Sequence, residues 1–171
     1  MRLTLLFLLP SIAVTAQAQK DLASCKPVLD ATLKSISTPH HAYMTRTMLG
    51  KNHLGEQISV DGKNYVSENG GWRTSPMSVA DVVKLEKENV DSSKVYTRHA
   101  VRDEAVSGQA ATVYRMRTEN VARSDGEVWV AKGSGLVVRV EQDIDTADDP
   151  TSKMHVSTKY DYANVKAPPG V

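Results

Sequence analysis

The single cysteine of this chain, Cys25, is the residue whose chemistry most needs an interpretation. A thiol here can carry a lipid, pair with another chain, act as a nucleophile or fill space. The stretch "LASC" (22–25) has the form of a lipid-attachment box, but Lys20 and Asp21 separate it from the apolar N-terminal run. We therefore expect an unacylated, partly accessible thiol near the start of a helix. One cysteine cannot form an internal disulfide, and an intermolecular bond stays an alternative.

The histidines are candidate metal ligands. His40 and His41 are adjacent, and neighbouring residues of a strand point to opposite faces of a sheet. None of the histidines shows the i, i+4 spacing by which two residues of a helix hold zinc. The sequence therefore predicts no metal site. The remaining histidines are His53, His99 and His155.

The acidic segment "DIDTADDP" (143–150) offers the hard oxygen ligands that calcium prefers. It lacks the central glycine and the closing glutamate of an EF-hand loop. Asp143 and Asp145 also fit the polar face of a strand, and we adopt that interpretation over a calcium site. Asp148 and Asp149 belong to a loop in this interpretation.

Nucleophilic catalysis finds no support in the sequence. Cys25 carries no family signature of a catalytic cysteine. The stretch "KGSGL" (132–136) has the composition of a hairpin turn rather than of a strand-to-helix nucleophile elbow. A glycine-rich phosphate loop is also absent from the sequence. We therefore expect a protein that is not an enzyme and that needs no cofactor.

Methionine and large aromatic side chains are the remaining candidates for a function. Methionine is flexible and polarisable and suits adaptable apolar pockets, so we expect this set to line a ligand cavity between a sheet and helices. The alternative is core filling in a chain whose only phenylalanine is Phe7. The candidate cavity residues are Met44, Met48, Trp72, Met77, Met116, Trp129, Met154 and Tyr160.

The N-terminus has the pattern of an export signal. Arg2 precedes an apolar run of about twelve residues, which is shorter than the about 20 needed to span a bilayer. The small residues Ala16 and Ala18 match the rule for signal-peptide cleavage. We expect residues 1–18 to be a signal peptide, residues 19–171 to form a single domain, and the protein to be periplasmic or secreted with no stable membrane anchor.

The charge balance argues against nucleic acid as a partner. The chain has 21 basic and 20 acidic side chains, a formal net charge of +1. Removal of the signal peptide takes Arg2 away and lowers this charge to zero. Nucleic-acid binding favours a clustered basic excess, which is missing here.

Two segments, residues 24–37 and 76–90, have apolar residues at helical spacing. The second has clear start chemistry, because Ser78 is a favoured N-cap residue and Asp81 follows three residues later, as in a capping box. Its charged residues 86–88 are expected to face water. We therefore predict two helices with one apolar side each.

The rest of the chain alternates with the period of two that marks strands, about nine of them. The clearest hairpin signal is Asp61-Gly62, a preferred two-residue turn that places Ile58 opposite Tyr65. Residues 50–55 and 124–126 are interpreted as further turns. Because the connections are short, we expect an antiparallel meander. The sequence predicts an α+β domain in which helices lie on one side of a large twisted sheet.

Two stretches give this sequence a likeness to a known family. "GEVWVAKGSGLVVRVEQDID" (126–145) resembles a hairpin of the periplasmic lipoprotein-carrier (LolA/LolB-like) superfamily, with Trp129 and Arg139 in matching places. "MHVSTKYDYANVKAP" (154–168) resembles the closing strand of such proteins. The resemblance implies a large curved, mostly antiparallel β-sheet, an unclosed half-barrel, with about two helices covering its concave face.

The resemblance also carries an expectation about function. Members of the family bind acyl chains in the hollow beneath the helices. Together with the export signal, this implies a protein that binds a lipid, another apolar small molecule or an acylated protein, as a lipoprotein carrier or sensor does. The alternative is a non-catalytic interaction module that binds another envelope protein through a strand edge or the outer face of the sheet.

Overall fold

The structure, a computed structural model, describes residues 22–68, 70–145 and 153–171. The predicted signal peptide, Lys20, Asp21, Asp148 and Asp149 lie outside these residues. Within them lie two helices, α1 (Leu22–Ser37) and α2 (Val79–Ser92), and nine strands. The strands are β1 (His40–Met48), β2 (Lys51–Val60), β3 (Lys63–Glu68), β4 (Gly71–Thr74), β5 (Val95–Val106), β6 (Gln109–Glu119), β7 (Arg123–Ala131), β8 (Val137–Asp145) and β9 (Lys153–Asp161).

The nine strands form one sheet that does not close. Their order is β4-β3-β2-β1-β9-β8-β7-β6-β5, and each neighbouring pair is antiparallel. Only β1 and β9 are neighbours that do not follow each other in the chain, and they join a four-stranded meander to a five-stranded one. The predicted fold class is confirmed: an α+β fold with an unclosed, curved antiparallel sheet and two helices.

Both helices lie over one face of the sheet, which we call the concave face. Val28 and Ala31 of α1 pack against Met116, Val128 and Val137 of strands β6, β7 and β8. Helix α2 packs mainly against α1 and makes few contacts with the strands. Helix α2 therefore covers this part of the sheet but leaves space between itself and the strands.

Cys25 joins the two helices to the edge strand β5. Its side chain is 0 % exposed and packs with Val90 of α2 and Tyr96 of β5. The Sγ atom donates a weak hydrogen bond to the Tyr96 carbonyl oxygen at 3.5 Å. The predicted accessibility of the thiol is wrong, because α1 already includes residue 22 and Cys25 therefore lies within the packed part of the helix.

The opposite face, which we call the outer face, also buries apolar side chains. Trp129 is 4 % exposed and packs with Val113 and Val138 there, in alternation with the concave-face residue Val128. A second outer cluster combines Ile58, Val60, Tyr65 and Trp72 with Val165 of the C-terminal tail. Apolar alternation in this chain therefore does not tell the concave face from the outer face.

The predicted hairpin turn is confirmed. Asp61 and Gly62 have φ angles of 52° and 75°, the positive values that a type I′ turn requires at both central positions. The register places Ile58 opposite Tyr65, and both side chains are buried. The local chemistry of two residues thus sets the pairing of β2 with β3.

The predicted start of α2 is confirmed as well. The Ser78 Oγ accepts a hydrogen bond from the Asp81 backbone N–H at 3.2 Å, and the Asp81 carboxylate accepts one from the Ser78 N–H at 2.9 Å. This is a complete capping box. The pKa of Asp81 lies below its usual range because the Ser78 side chain and backbone donate hydrogen bonds to the carboxylate.

The predicted turn over residues 50–55 is wrong. The chain reverses earlier, at Leu49 and Gly50, whose φ angles are 50° and 73°, and Met48 lies opposite Lys51. The polar residues that follow belong to the exposed first half of β2. An exposed strand end has the composition of a loop, which explains the error.

The predicted turn over residues 124–126 is also wrong, because these residues lie inside β7. A Cβ atom on Gly126 would come within 2.0 Å of the Glu141 carbonyl oxygen on β8. Glycine is therefore required by the close approach of two strands rather than by a turn. Asp125 is paired with Arg123 at 2.7 Å, as a polar residue of a strand can be.

Candidate functional site

A cavity of about 270 Å³ lies between the two helices and the concave face of the sheet. We call it the helix-covered cavity. Its apolar lining comes from α1, α2, β1, β8 and β9: Ile36, Ala42, Met44, Val82, Val137, Val140 and Tyr160. Its polar lining consists of Thr32, Ser35, His40, Gln57, Asn64, Glu86 and Thr158.

The floor of this cavity is built by the pairing of β1 with β9. Ala42 lies opposite Tyr160, and Met44 lies opposite Thr158. Ala42 and Thr158 are small side chains that are almost fully buried. Because α2 packs against α1 rather than against these strands, the space above them stays open.

The buried polar residues of the wall already have partners. The His40 Nδ1 lies 2.8 Å from the Thr38 carbonyl oxygen, and burial lowers the pKa of this histidine. The Asn64 amide donates to the Met77 carbonyl oxygen at 3.0 Å and accepts from the Ser59 hydroxyl at 2.5 Å. These residues hold the wall together and bring no positive charge to the cavity at neutral pH.

Glu86 is the carboxyl group that lines the cavity, although the sequence placed it on the solvent face of α2. Its side chain is half-buried, and no described residue gives it a hydrogen bond or an ion pair. Burial raises the pKa of Glu86, against the opposing effect of the Arg98 guanidinium. Burial, with a smaller contribution from Glu86, also raises the pKa of Tyr160 to about 12.

A second pocket, of about 290 Å³, lies further along the same side of β1. We call it the hairpin pocket, because it lies near the β1–β2 turn. It is lined by Arg46, Met48, His53, Leu54, Glu68 and Met154. Met44 of the helix-covered cavity and Arg46 of the hairpin pocket are two residues apart, a separation of about 6–7 Å along a strand. The two pockets are therefore neighbours.

The eight residues predicted from sequence to line a cavity lie in several places. Met44 and Tyr160 line the helix-covered cavity, and Met48 and Met154 line the hairpin pocket. Met116 is buried in the core beneath α1. The others are Trp129 and Trp72 on the outer face, and Met77, whose carbonyl oxygen anchors Asn64 before α2 begins.

Some lining residues were missed by sequence reasoning. Val82 and Glu86 lie one helical turn apart on α2, and this i, i+4 spacing is a signal that could have placed Glu86 on the apolar side of the helix. Ala42 and Thr158 could not be identified from the sequence, because a small residue on a strand does not indicate that a cavity lies beside it. The interpretation of 86–88 as a solvated cluster is wrong for Glu86 and correct for Lys87 and Glu88, which are exposed.

Two absences hold for the part of the chain that the structure describes. No helix there is long and apolar enough to cross a membrane. Residues 22–68, 70–145 and 153–171 also contain no group of three or more histidine, cysteine, aspartate or glutamate side chains placed to hold a metal ion. Asp143 and Asp145 lie in β8, as the strand interpretation expects.

No family model matches this sequence, and no curated protein sequence matches it. Solved structures do. MucB matches with a TM-score of 0.55 and 10% identity over 86% of this chain and 61% of that chain. The lipoprotein LppX of Mycobacterium tuberculosis matches with a TM-score of 0.46 and 10% identity over 87% and 100%. A LolA superfamily protein from Nitrosomonas europaea matches with a TM-score of 0.29 and 8% identity over 92% and 96%.

The MucB match is the one of these three that supports a conclusion. The chain spans about three-fifths of that structure. At this low identity the match shows the fold alone, and it confirms the LolA-like fold that the sequence resemblance implied.

Proposed function

We propose that this protein binds an apolar or amphipathic small molecule of the lipid class in the helix-covered cavity. The observation that supports this proposal is the cavity itself, with Ala42 and Met44 in its floor and Ile36 and Val82 in the covering helices. Ligand sites of proteins are concave and mostly apolar, with a few placed polar groups. Glu86 is such a group.

The size of the cavity limits the ligand. About 270 Å³ lies just below the range of about 300–1,000 Å³ that is usual for ligands of drug size. The cavity therefore suits one apolar chain or one small apolar group. A larger lipid would extend into the hairpin pocket, which adds about 290 Å³.

The proposed role is binding rather than catalysis, in an exported protein of the envelope. The polar lining residues His40, Ser35 and Asn64 are engaged in structural hydrogen bonds, and no nucleophile with an adjacent base is found among the lining residues. Delivery or sensing of an acylated protein is the finer form of this proposal. A panel of ester, amide and phosphoester substrates should show no turnover, and any turnover that Glu86→Gln abolishes would contradict a pure binding role.

Native mass spectrometry tests the binding proposal. Protein purified after export should carry a lipid-sized adduct, and delipidated protein should take up a fluorescent fatty acid. Absence of both contradicts the proposal. Intact mass also reports whether the chain begins at residue 19 and carries no acyl group.

A second candidate is an interaction module for another envelope protein. The observation that favours it is the edge strand β5, which extends over 12 residues with one side unpaired by any described strand. An extended peptide can add to such an edge as a further strand. Crosslinking that captures a defined protein on β5, together with no lipid in the mass spectrum, would support this second role.

A further inference from the structure

One charged residue interrupts an apolar row along the concave face. Ala42, Met44, Arg46 and Met48 alternate on the same side of β1, because their partners on β9 are Tyr160, Thr158, Val156 and Met154. From Ala42 to Met48 this row extends over about 20 Å. Its charged position, Arg46, lies between the helix-covered cavity and Met48 of the hairpin pocket.

The guanidinium of Arg46 is loosely held. Its ion pair with Glu68 has a nitrogen–oxygen distance of 3.6 Å, longer than a hydrogen bond, and both side chains are well exposed. No described residue accepts a hydrogen bond from it. Arg102, in contrast, makes two bonds of 2.8 Å to both carboxylate oxygens of Glu127. The guanidinium N–H groups of Arg46 are therefore available to form hydrogen bonds with a ligand.

His53 lies next to Arg46. The two residues are directly opposite each other in the β1–β2 ladder, and both line the hairpin pocket. No described residue forms a hydrogen bond with the His53 ring. Arg46 and His53 together offer nitrogen donors at one end of an apolar path.

We propose that the ligand is an amphiphile with an anionic head, a carboxylate or a phosphate, and that Arg46 and His53 bind this head in the hairpin pocket while its apolar chain lies toward the helix-covered cavity. This inference rests on the proposed function. The planar fork of arginine matches carboxylate and phosphate oxygens in pairs. Met48 and Met154 contact the part of the chain next to the head.

The charged residues around the two pockets set the orientation of the ligand. Glu86 lines the helix-covered cavity and would repel an anion there, whereas the chain of a lipid lacks charge. Glu68 competes with the ligand head for Arg46, and its exposed position lets it move away. Removing the carboxylate of Glu68 should therefore strengthen binding of the anionic ligand, and removing the guanidinium of Arg46 should weaken it.

The experiment compares probes that share one chain and differ in the head. Decanoate, decyl phosphate, decanol and decyltrimethylammonium are titrated calorimetrically at constant ionic strength into the purified protein, with inorganic phosphate as a probe without a chain. Wild-type protein should bind decanoate and decyl phosphate roughly tenfold or more tighter than decanol. Arg46→Gln should abolish this preference by weakening the binding of decanoate and decyl phosphate, and Glu68→Gln should increase the preference.

Arg73→Gln is the matched control, because Arg73 is an exposed arginine of β4 that lines neither pocket. It should behave as wild type. Equal binding of decanoate and decanol, or an Arg46→Gln protein that keeps the preference, overturns the inference and leaves the proposed function standing. Tighter binding of the cationic probe, or inorganic phosphate binding as tightly as decyl phosphate, also overturns it. No binding of any alkyl probe overturns both.

Discussion

Met44 on β1 lies directly opposite Thr158 on β9, and both residues line the helix-covered cavity. The pair lies where the two halves of the sheet meet and where α2 covers the strands without packing against them. Space at this point depends on the small size of the neighbouring residues. The site can therefore be tested by filling it.

Ala42→Leu should close the floor of the cavity. Leucine adds apolar volume where space exists, so stability should be unchanged or slightly higher, whereas binding of decanol should weaken by about tenfold or more. Calorimetric titration and urea unfolding measure the two effects. Ala100→Leu, the same change at an exposed position of β5, should alter neither. An Ala42→Leu protein with wild-type affinity would place the ligand elsewhere.

Glu86→Gln should stabilise the protein at neutral pH. Because burial raises the pKa of Glu86 in the folded state, ionisation of this carboxyl costs folding stability. The cost is absent below the unfolded pKa and appears as the pH rises through the folded pKa. Urea unfolding at about pH 7 should show the gain, and at about pH 4 the variant should match wild type. The control is Glu88→Gln, at an exposed residue paired with Lys84 at 3.7 Å, for which no gain is expected.

Gly126→Ala should destabilise the sheet. The added Cβ would meet the Glu141 carbonyl oxygen at 2.0 Å, a backbone atom that cannot move without shifting β8. We expect a loss of about 2–3 kcal/mol in the free energy of unfolding. Gly71→Ala on β4 is the matched control, since no atom lies within 4 Å of its Cβ position. Equal stability of the two variants would mean that β7 and β8 do not approach as closely as described.

Cys25 should react with iodoacetamide only when the protein unfolds. Its side chain is 0 % exposed between α1, α2 and β5. Alkylation followed by intact-mass measurement should be slow in buffer and fast in urea. Rapid labelling of folded protein would contradict the packing of α1 against Tyr96.

The parts of the fold that could be predicted depend on interactions between residues that are close together in the sequence. Asp61-Gly62 set a hairpin register through backbone conformation, and Ser78 with Asp81 set a helix start through hydrogen bonds three residues apart. Gly126 was misinterpreted because its neighbour in space, Glu141, is distant in the chain. The same is true of Cys25, whose burial depends on Tyr96.

The site was harder to predict, since both faces of the sheet bury apolar residues. Met44 and Trp129 have equivalent alternation patterns, yet the first faces the cavity and the second lies on the outer face. A methionine or tryptophan in a strand therefore indicates that the position is buried, but not on which face of the sheet it lies. The cavity itself results from the way α2 packs on α1, which no single segment encodes.

Photolabelling tests the central claim, that an apolar ligand lies between the helices and the concave face. A fatty acid with a diazirine in its alkyl chain is bound to the protein, and the complex is irradiated. The labelled residues are then mapped by mass spectrometry of peptides. We predict labels on Ile36, Met44 and Val82, lost when unlabelled decanoate competes. Labels confined to the outer face around Trp129, or no competed label at all, would contradict the account.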